Sequence, residues 1–207
     1  MTRLTKSTTS LAMILGLSLC ASATEIPTQP KITKPLISYV SESDATGDVK
    51  AVYDEIRKAY GIVPEPIKGL SLNPAMLRNT WKTYKILGSN KNFSPKMTTM
   101  MRMMIAEAHQ CKFCVGFNKG MLMNVFKLSA DEIESIQKDP TSVKLDPKQK
   151  AMLLFMLKAT SQPEKVDQTD IDKLKKLGWS QKDITEGVKQ ASEMVATTIF
   201  IDTFKIM

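Results

Sequence analysis

The chain contains few cysteines and histidines, the residues that most often bind zinc. Of its 207 residues, three are cysteines and one is a histidine, His109. A tetrahedral zinc site needs four ligands, and the chain has no second close cysteine pair to join Cys111, Cys114 and His109. We therefore expect neither a metal centre nor another bound cofactor.

The sequence also lacks a long apolar run outside its N-terminal segment, and it lacks a dense basic cluster. No segment is apolar over enough residues to span a bilayer, so we expect no stable membrane insertion. The formal charge is +8, but single lysines alternate with Asp and Glu and few aromatic residues lie among them. This pattern indicates a solvated lysine-rich surface rather than a nucleic-acid partner.

Residues 1–23 have the pattern of a secretory signal peptide. Arg3 and Lys6 form a positive start, residues 11–19 are apolar, and residues 21–23 read Ala-Ser-Ala. Small residues in these last positions predict cleavage after Ala23. The apolar run is too short for a comfortable membrane span.

An alternative at this terminus is a lipoprotein signal with Cys20 as the lipid-bearing residue. The residue before it is Leu19, where the lipoprotein peptidase needs a small side chain. With either signal the mature chain is exported to an oxidising compartment, which we expect to be a bacterial periplasm. Loss of Arg3 and Lys6 would reduce the charge to 8 − 2 = +6.

The remaining chain suits an extended arm followed by one domain. Residues 24–36 include Pro27, Pro30 and Pro35 among small polar residues, which predicts an extended N-terminal arm. Residues 37–207 show helical periodicity and no sustained alternation of apolar and polar residues. The fold class predicted for this domain is all-α, a bundle of many helices.

Capping residues predict where the helices begin. Asn73, Ser94 and Asp146 each precede a proline, and proline is favoured at the first position of a helix. Residues 129–132 form a capping box, Thr169 and Asp170 are expected to begin a further helix, and residues 180–183 begin the last one. Residues 63–66, which include two prolines, are expected to be a loop.

Two helices begin alike, which suggests two related halves. Residues 94–96 and residues 146–148 both combine a capping residue, a proline and a lysine, and an apolar helix follows each. The first of these helices and the segment after it are rich in methionine: Met97, Met100, Met101, Met103, Met104, Met121 and Met123. We interpret these methionines as core filling, with a soft copper site as the alternative.

Cys111 and Cys114 are the residues most suggestive of chemistry. They lie three positions apart with Lys112 between them, at the expected start of a helix. A redox-active dithiol, a structural disulfide and a metal site are all compatible with the spacing. A disulfide that closes so short a loop adds little stability, and a helix N-terminus favours the thiolate, so the redox interpretation is preferred.

Two residues just before the pair are candidates for proton transfer. His109 is the only histidine, and histidine carries protons near neutral pH. Glu107 lies one helical turn before Cys111 and could act as a base for a thiol. Each also has a non-catalytic interpretation. His109 could be a hydrogen-bonded histidine at a helix end, and Glu107 could be an exposed surface charge.

The chain resembles the carboxymuconolactone decarboxylase and alkyl hydroperoxidase D superfamily, in its peroxidase-related branch. The resemblance extends from about Pro35 to the C-terminus and includes AHQCKFC at residues 108–114. The other matching segments are DVKAVYDEI at 48–56, GIVP at 61–64, LNP at 72–74, SPK at 94–96, LS at 128–129 and LDP at 145–147.

This resemblance implies an all-helical fold with two pseudo-repeated halves and a homo-oligomer, often a trimer or hexamer. It also implies a dithiol that reduces peroxides or relays electrons, with Cys114 attacking and Cys111 resolving. The expected substrate is a peroxide or a protein disulfide, and a periplasmic thiol reductant would supply the electrons. A non-enzymatic binding or scaffold protein with a structural disulfide is the alternative.

The chain departs from this family at two positions. The family has a histidine four positions after the second cysteine, where this chain has Asn118, and a glutamate twelve positions before the first, where it has Thr99. An amide can hold a hydrogen bond but cannot carry a proton near neutral pH. We hypothesise that Glu107 and His109 replace this proton relay.

Overall fold

A computed structural model of the chain describes residues 34–206, and within that range it consists of helices and connecting turns without β-strands. The predicted signal peptide and residues 24–33 of the predicted arm lie outside the described residues. Residues 34–36 are not helical, and the Leu36 N–H donates to the Phe204 carbonyl at 2.8 Å. No helix in the described range is long and apolar enough to cross a membrane.

The helices follow one another through short connections, three of which contain a turn of 3₁₀-helix. They are α1 (Gly47–Tyr60), α2 (Glu65–Lys68), α3 (Pro74–Gly88), α4 (Pro95–Ala108), α5 (Lys112–Asn124), α6 (Ala130–Lys138), α7 (Pro147–Ser161), α8 (Gln168–Lys176) and α9 (Gln181–Phe204). The prediction of an all-α fold is confirmed.

The predicted helix starts are also confirmed where a proline follows the cap. The side chains of Asn73, Ser94 and Asp146 each accept a hydrogen bond from a backbone N–H three residues further on, at 3.0–3.2 Å. These bonds satisfy N–H groups that the first helical turn leaves without a partner. The similar helices α4 and α7 pack against each other in the bundle.

Two local predictions were wrong. Residues 63–66 are not wholly loop, because α2 begins at Glu65 with Pro66 in its first turn. Proline fits there because a first-turn N–H has no intrahelical acceptor. Helix α8 is capped by Asp167 rather than begun by Thr169, and the Asp167 carboxylate accepts from Thr169 N–H and Asp170 N–H.

The main core surrounds α4, which packs against α5, α7 and α9. The α4 methionines predicted as core filling are buried: Met97, Met100, Met101, Met103 and Met104. The same prediction is wrong for Met121 and Met123, which are 37% and 41% exposed on α5. They lie on either side of the buried Leu122, so the turn of the helix directs them away from the core.

A smaller core joins α1 and α3 and includes Val52, Ile56 and Trp81. Gly69, in the segment before α3, lies close to the end of α9: a Cβ atom there would be 2.6 Å from Ile206 Cδ1 and 2.9 Å from Phe200 Cε1. Such distances are shorter than van der Waals contact, so a larger side chain at this position would require the Ile206 or Phe200 side chain to move. The segment before α3 thus packs closely against the end of α9.

The start of α9 is fixed by Asp183, which is 5% exposed. Its carboxylate accepts from the Ser180 hydroxyl at 2.6 Å, Asn90 Nδ2 at 2.8 Å and Asn92 Nδ2 at 3.0 Å. Burial alone would raise the pKa of Asp183, but these hydrogen bonds outweigh it and hold the pKa well below its usual range. The ionised carboxylate therefore joins the connection between α3 and α4 to the start of α9.

We predict that Asp183→Asn lowers the free energy of unfolding by about 1–3 kcal/mol at pH 7, because the new amide group faces hydrogen-bond donors. A lowered pKa in the folded state gives stability that is present above the unfolded-state pKa and lost as the pH falls below it. The difference in free energy of unfolding between the wild type and the variant should therefore become smaller by about 1 kcal/mol as the pH is lowered from 7 to 3.

Urea unfolding at both pH values measures this difference. The matched control is Asp131→Asn at an exposed position on α6, which should change stability by less than about 0.5 kcal/mol. If the loss of stability in Asp183→Asn were the same at pH 7 and pH 3, the proposed role of the ionised carboxylate would be contradicted.

Candidate functional site

The cysteine pair lies where α4 gives way to α5. Cys111 is the N-cap of α5, and its Sγ accepts a hydrogen bond from the Cys114 N–H at 3.4 Å. The two residues form a disulfide, with Cα atoms 5.4 Å apart. The pair therefore opens a helix, as the sequence predicts, and its sulfurs lie where the positive end of the helix dipole favours a thiolate.

A tight turn after α4 places Cys111 at the N-cap position of α5. The Gln110 N–H donates to the Glu107 carbonyl and the Cys111 N–H donates to the Ala106 carbonyl, each at 2.9 Å. This is the Schellman pattern that ends many helices, and it places Gln110 in the left-handed region at φ 59°. Glycine is the usual residue there because a side chain costs about 1 kcal/mol in that conformation.

Both sulfurs are enclosed. Cys111 is 0% and Cys114 is 3% exposed, and both belong to the main core with the α4 methionines. Lys112, between them, is exposed and faces solvent. Neither cysteine side chain is therefore open to solvent in this structure.

The two positions where the resembling family has proton-carrying residues are both buried beside this core. Thr99 donates its hydroxyl to the Pro95 carbonyl at 2.8 Å, and Asn118 donates its amide to the Cys114 carbonyl at 2.8 Å. Each bond stays within the residue's own helix. Asn118 thus helps to fix the backbone of Cys114, and neither side chain offers a group that exchanges a proton near neutral pH.

Glu107 and His109 were predicted to replace the family's proton relay. Both side chains are exposed, and they do not share a hydrogen-bond partner. Glu107 accepts a hydrogen bond from Gln137 Nε2 at 2.7 Å, which ties it to α6. His109 makes no side-chain hydrogen bond to another residue in the range 34–206. The structure therefore does not join Glu107 and His109 into one relay.

His109 instead faces a groove of about 400 Å³ that the sequence did not reveal. Its other lining residues come from the end of α9 and its C-cap: Thr198, Ile199, Asp202, Thr203 and Lys205. Burial raises the pKa of the Asp202 carboxyl, and Lys205 partly offsets this. Because α9 meets α4 only through tertiary packing, no local signal places Asp202 and His109 in one groove.

A larger depression of about 520 Å³ lies at the start of α9 and contains neither cysteine nor His109. Its polar groups are engaged with one another, since Asn90 donates to both Asp183 and Glu186. Within residues 34–206, no three His, Cys, Asp or Glu side chains come close enough to hold a metal ion. Among the described cavities, the groove at His109 is thus the one next to the cysteine turn.

Comparison with families and curated proteins gives no match to this chain. Comparison with solved structures gives clear matches. An uncharacterized peroxidase-related protein with an alkylhydroperoxidase D core, from Ralstonia eutropha JMP134, superposes with a TM-score of 0.71 at 18% identity and covers 84% of this chain and 91% of its own. A peroxidase-related protein from Silicibacter sp. TM1040 has a TM-score of 0.70 at 18% identity, covering 87% and 94%.

The debrominase Bmp8 is also similar. Its cysteine-to-alanine variant in complex with 2,3,4-tribromopyrrole has a TM-score of 0.67 at 15% identity and covers 84% of this chain and 92% of its own. The chain therefore has the fold of the alkylhydroperoxidase D-like proteins. The predicted resemblance is confirmed at the level of the fold, and identities this low carry no activity from one protein to another.

We predict that Gln110→Gly stabilises the protein by about 0.5–1 kcal/mol. Glycine removes the cost of the left-handed backbone, and part of this gain is lost to the greater freedom of glycine in the unfolded chain. Gln110→Ala is the matched control and should give no gain, since alanine keeps the Cβ atom. Thermal unfolding measures both, and equal melting temperatures for the two variants would show that the turn is not strained.

Proposed function

We propose that this protein is an exported thiol oxidoreductase that cycles Cys111 and Cys114 between dithiol and disulfide. The proposed oxidant is a peroxide or a protein disulfide, and a thiol reductant restores the dithiol. The observation that carries the proposal is the position of the pair: two cysteines, disulfide-bonded, at the first turn of α5. Helix starts of this kind favour the thiolate that thiol exchange and peroxide reduction require.

The proposed chemistry balances with the two thiols as the only electron donors. The thiolate of Cys114 attacks one peroxide oxygen, the O–O bond breaks, and the other oxygen leaves with a proton as water or an alcohol. Cys111 then attacks the sulfenic acid of Cys114, which forms the disulfide and releases water. The assignment of Cys114 to attack and Cys111 to resolution follows the resemblance to the peroxidase-related branch.

A structural disulfide in a non-enzymatic scaffold or binding protein is the second candidate. It is favoured by the in-helix hydrogen bonds of Thr99 and Asn118, which leave the family's relay positions without proton carriers. Against it stands the small benefit of the bond. The turn and the α5 cap already hold the two residues together, so closing this short loop gives about 2 kcal/mol or less.

Export is proposed from the N-terminal signal pattern, with cleavage after Ala23. In an oxidising periplasm the pair would rest as the disulfide, so the reductant must be a thiol protein of the same compartment. Self-association is proposed as well. It is supported by apolar side chains exposed along one side of α5 and at its C-cap: Phe117, Met121 and Val125 are 47%, 37% and 56% exposed, four residues apart.

Peroxide consumption tests the proposal. Reduced protein with dithiothreitol should consume peroxide, and Cys114→Ser should lower the rate by about 100-fold or more because the attacking thiol is gone. Cys111→Ser is the matched variant, since it keeps the attacking thiol but cannot resolve. After removal of dithiothreitol and addition of peroxide, it should accumulate a sulfenic acid that a dimedone probe labels, whereas Cys114→Ser should not.

Peroxide consumption tests the activity, and dimedone labelling tests the roles of the two cysteines. Equal peroxide consumption by the wild type and Cys114→Ser would remove peroxide as the substrate. Labelling of Cys114→Ser rather than Cys111→Ser would reverse the assignment of the two sulfurs.

A further inference from the structure

Arg102, on α4, is a half-buried arginine without a carboxylate partner in residues 34–206. The other arginines of this range are paired: Arg57 with Glu42 and Arg78 with Asp48, although their side chains are 49% and 41% exposed. Removing a charge from water is costly unless an opposite charge or hydrogen bonds compensate for it. The arginine with the greatest need of a counter-charge is therefore the one that lacks it.

The hydrogen bonds of Arg102 leave one side of its guanidinium group free. Nε donates to the Thr98 carbonyl at 3.2 Å, and Nη2 donates to the Thr98 hydroxyl at 3.0 Å. Nη1 has no acceptor among the described residues, and it is not fully enclosed, because the one buried side-chain nitrogen or oxygen without a partner there is Gln190 Oε1. The two N–H groups of Nη1 are thus accessible to an acceptor from outside the chain.

Arg102 lies at the boundary between the two cores. Helix α4 belongs to the main core, whereas Tyr84 on α3 packs against the smaller core and meets the Thr197 hydroxyl of α9 at 3.2 Å. Burial lowers the pKa of Arg102, and the ionisable groups that act on its charge are the hydroxyls of Tyr60 and Tyr84. Tyrosine hydroxyls are neutral at pH 7, so they do not balance a guanidinium group that stays charged.

The same boundary contains a second unsatisfied group. On α9, Glu186 bonds to Asn90 just after α3, and Thr197 bonds to Tyr84 within α3. Gln190 lies between Glu186 and Thr197 on this side of α9, since residues four and seven apart share a helix face. Its Oε1 is buried and has no partner. A donor on α4 and an acceptor on α9 are therefore both left open on the side of the main core that faces α3.

We propose that Arg102 is the anion-binding residue of a ligand site at this boundary, and that the ligand is a small organic carboxylate. A carboxylate can accept parallel N–H bonds from a guanidinium group. Tyr60 packs edge-on against Trp81 with ring centroids 5.7 Å apart, so the neighbour of Arg102 on this side is aromatic. This favours a carboxylate with an aromatic body over an inorganic anion. Binding transfers no atom or electron and does not depend on the cysteine chemistry.

Calorimetric titration of the full chain with benzoate tests the site. Arg102→Gln should weaken benzoate binding about tenfold or more, because it removes the charged donors. Arg102→Lys keeps the charge without the paired donors, and it should weaken binding about threefold or more. Benzamide has the same shape as benzoate without the charge, so it should bind the wild type no better than it binds Arg102→Gln.

The matched control is Arg78→Gln, which makes the same change at an arginine that already has a carboxylate partner. It should leave benzoate affinity within about twofold of the wild type, since its charge is already balanced.

Thermal unfolding separates ligand binding from a structural role. Without benzoate, Arg102→Gln should melt at or above the temperature of the wild type, because it removes a half-buried charge that has no partner. With benzoate at about ten times its Kd, the melting temperature of the wild type should rise and that of Arg102→Gln should not.

The inference would be overturned by a wild type that does not bind benzoate with a Kd below about 10 mM, or by equal binding to the wild type and to either Arg102 variant. Equal loss in Arg78→Gln would also overturn it, because it would show attraction to a basic surface rather than to one site. Neither measurement uses thiol or peroxide, so the outcome is independent of the proposed function.

Discussion

The turn between α4 and α5 is the constraint on which the site depends. Two backbone hydrogen bonds end α4 and force Gln110 into a left-handed conformation, and the next residue, Cys111, becomes the cap of α5. In this arrangement the Cys111 sulfur caps α5 by accepting a backbone hydrogen bond, and Cys114 lies in the first turn of the same helix. It also puts His109 at the rim of the groove, since His109 is the last residue before the turn.

The core around this turn explains why the site differs from a simple surface dithiol. Five methionines of α4 and the two cysteines share one apolar cluster, so the pair is shielded from solvent. The nearby buried positions hold Thr99 and Asn118, whose polar atoms are satisfied within their own helices. The described groove, lined by His109 and Asp202 among others, includes neither cysteine.

Local sequence signals predicted most of the fold because capping is a local interaction. Asn73, Ser94 and Asp146 each satisfy a backbone N–H three residues away, so their role is visible in the sequence. The short helix at Glu65 was missed because prolines suggested a loop, although proline fits a first turn. Sequence signals located only the residues around the cysteines, because Asp202 and His109 come to line one groove through the packing of α9 against α4.

The central claim, that Cys111 and Cys114 form a redox-active pair, is tested most directly by its reduction potential. The reduced fraction of the pair can be measured after equilibration of the protein with glutathione or dithiothreitol buffers of known potential. A catalytic pair should have a potential above about −300 mV and exchange readily with thiols. A potential below that value would contradict the claim and assign the bond a structural role in a scaffold protein.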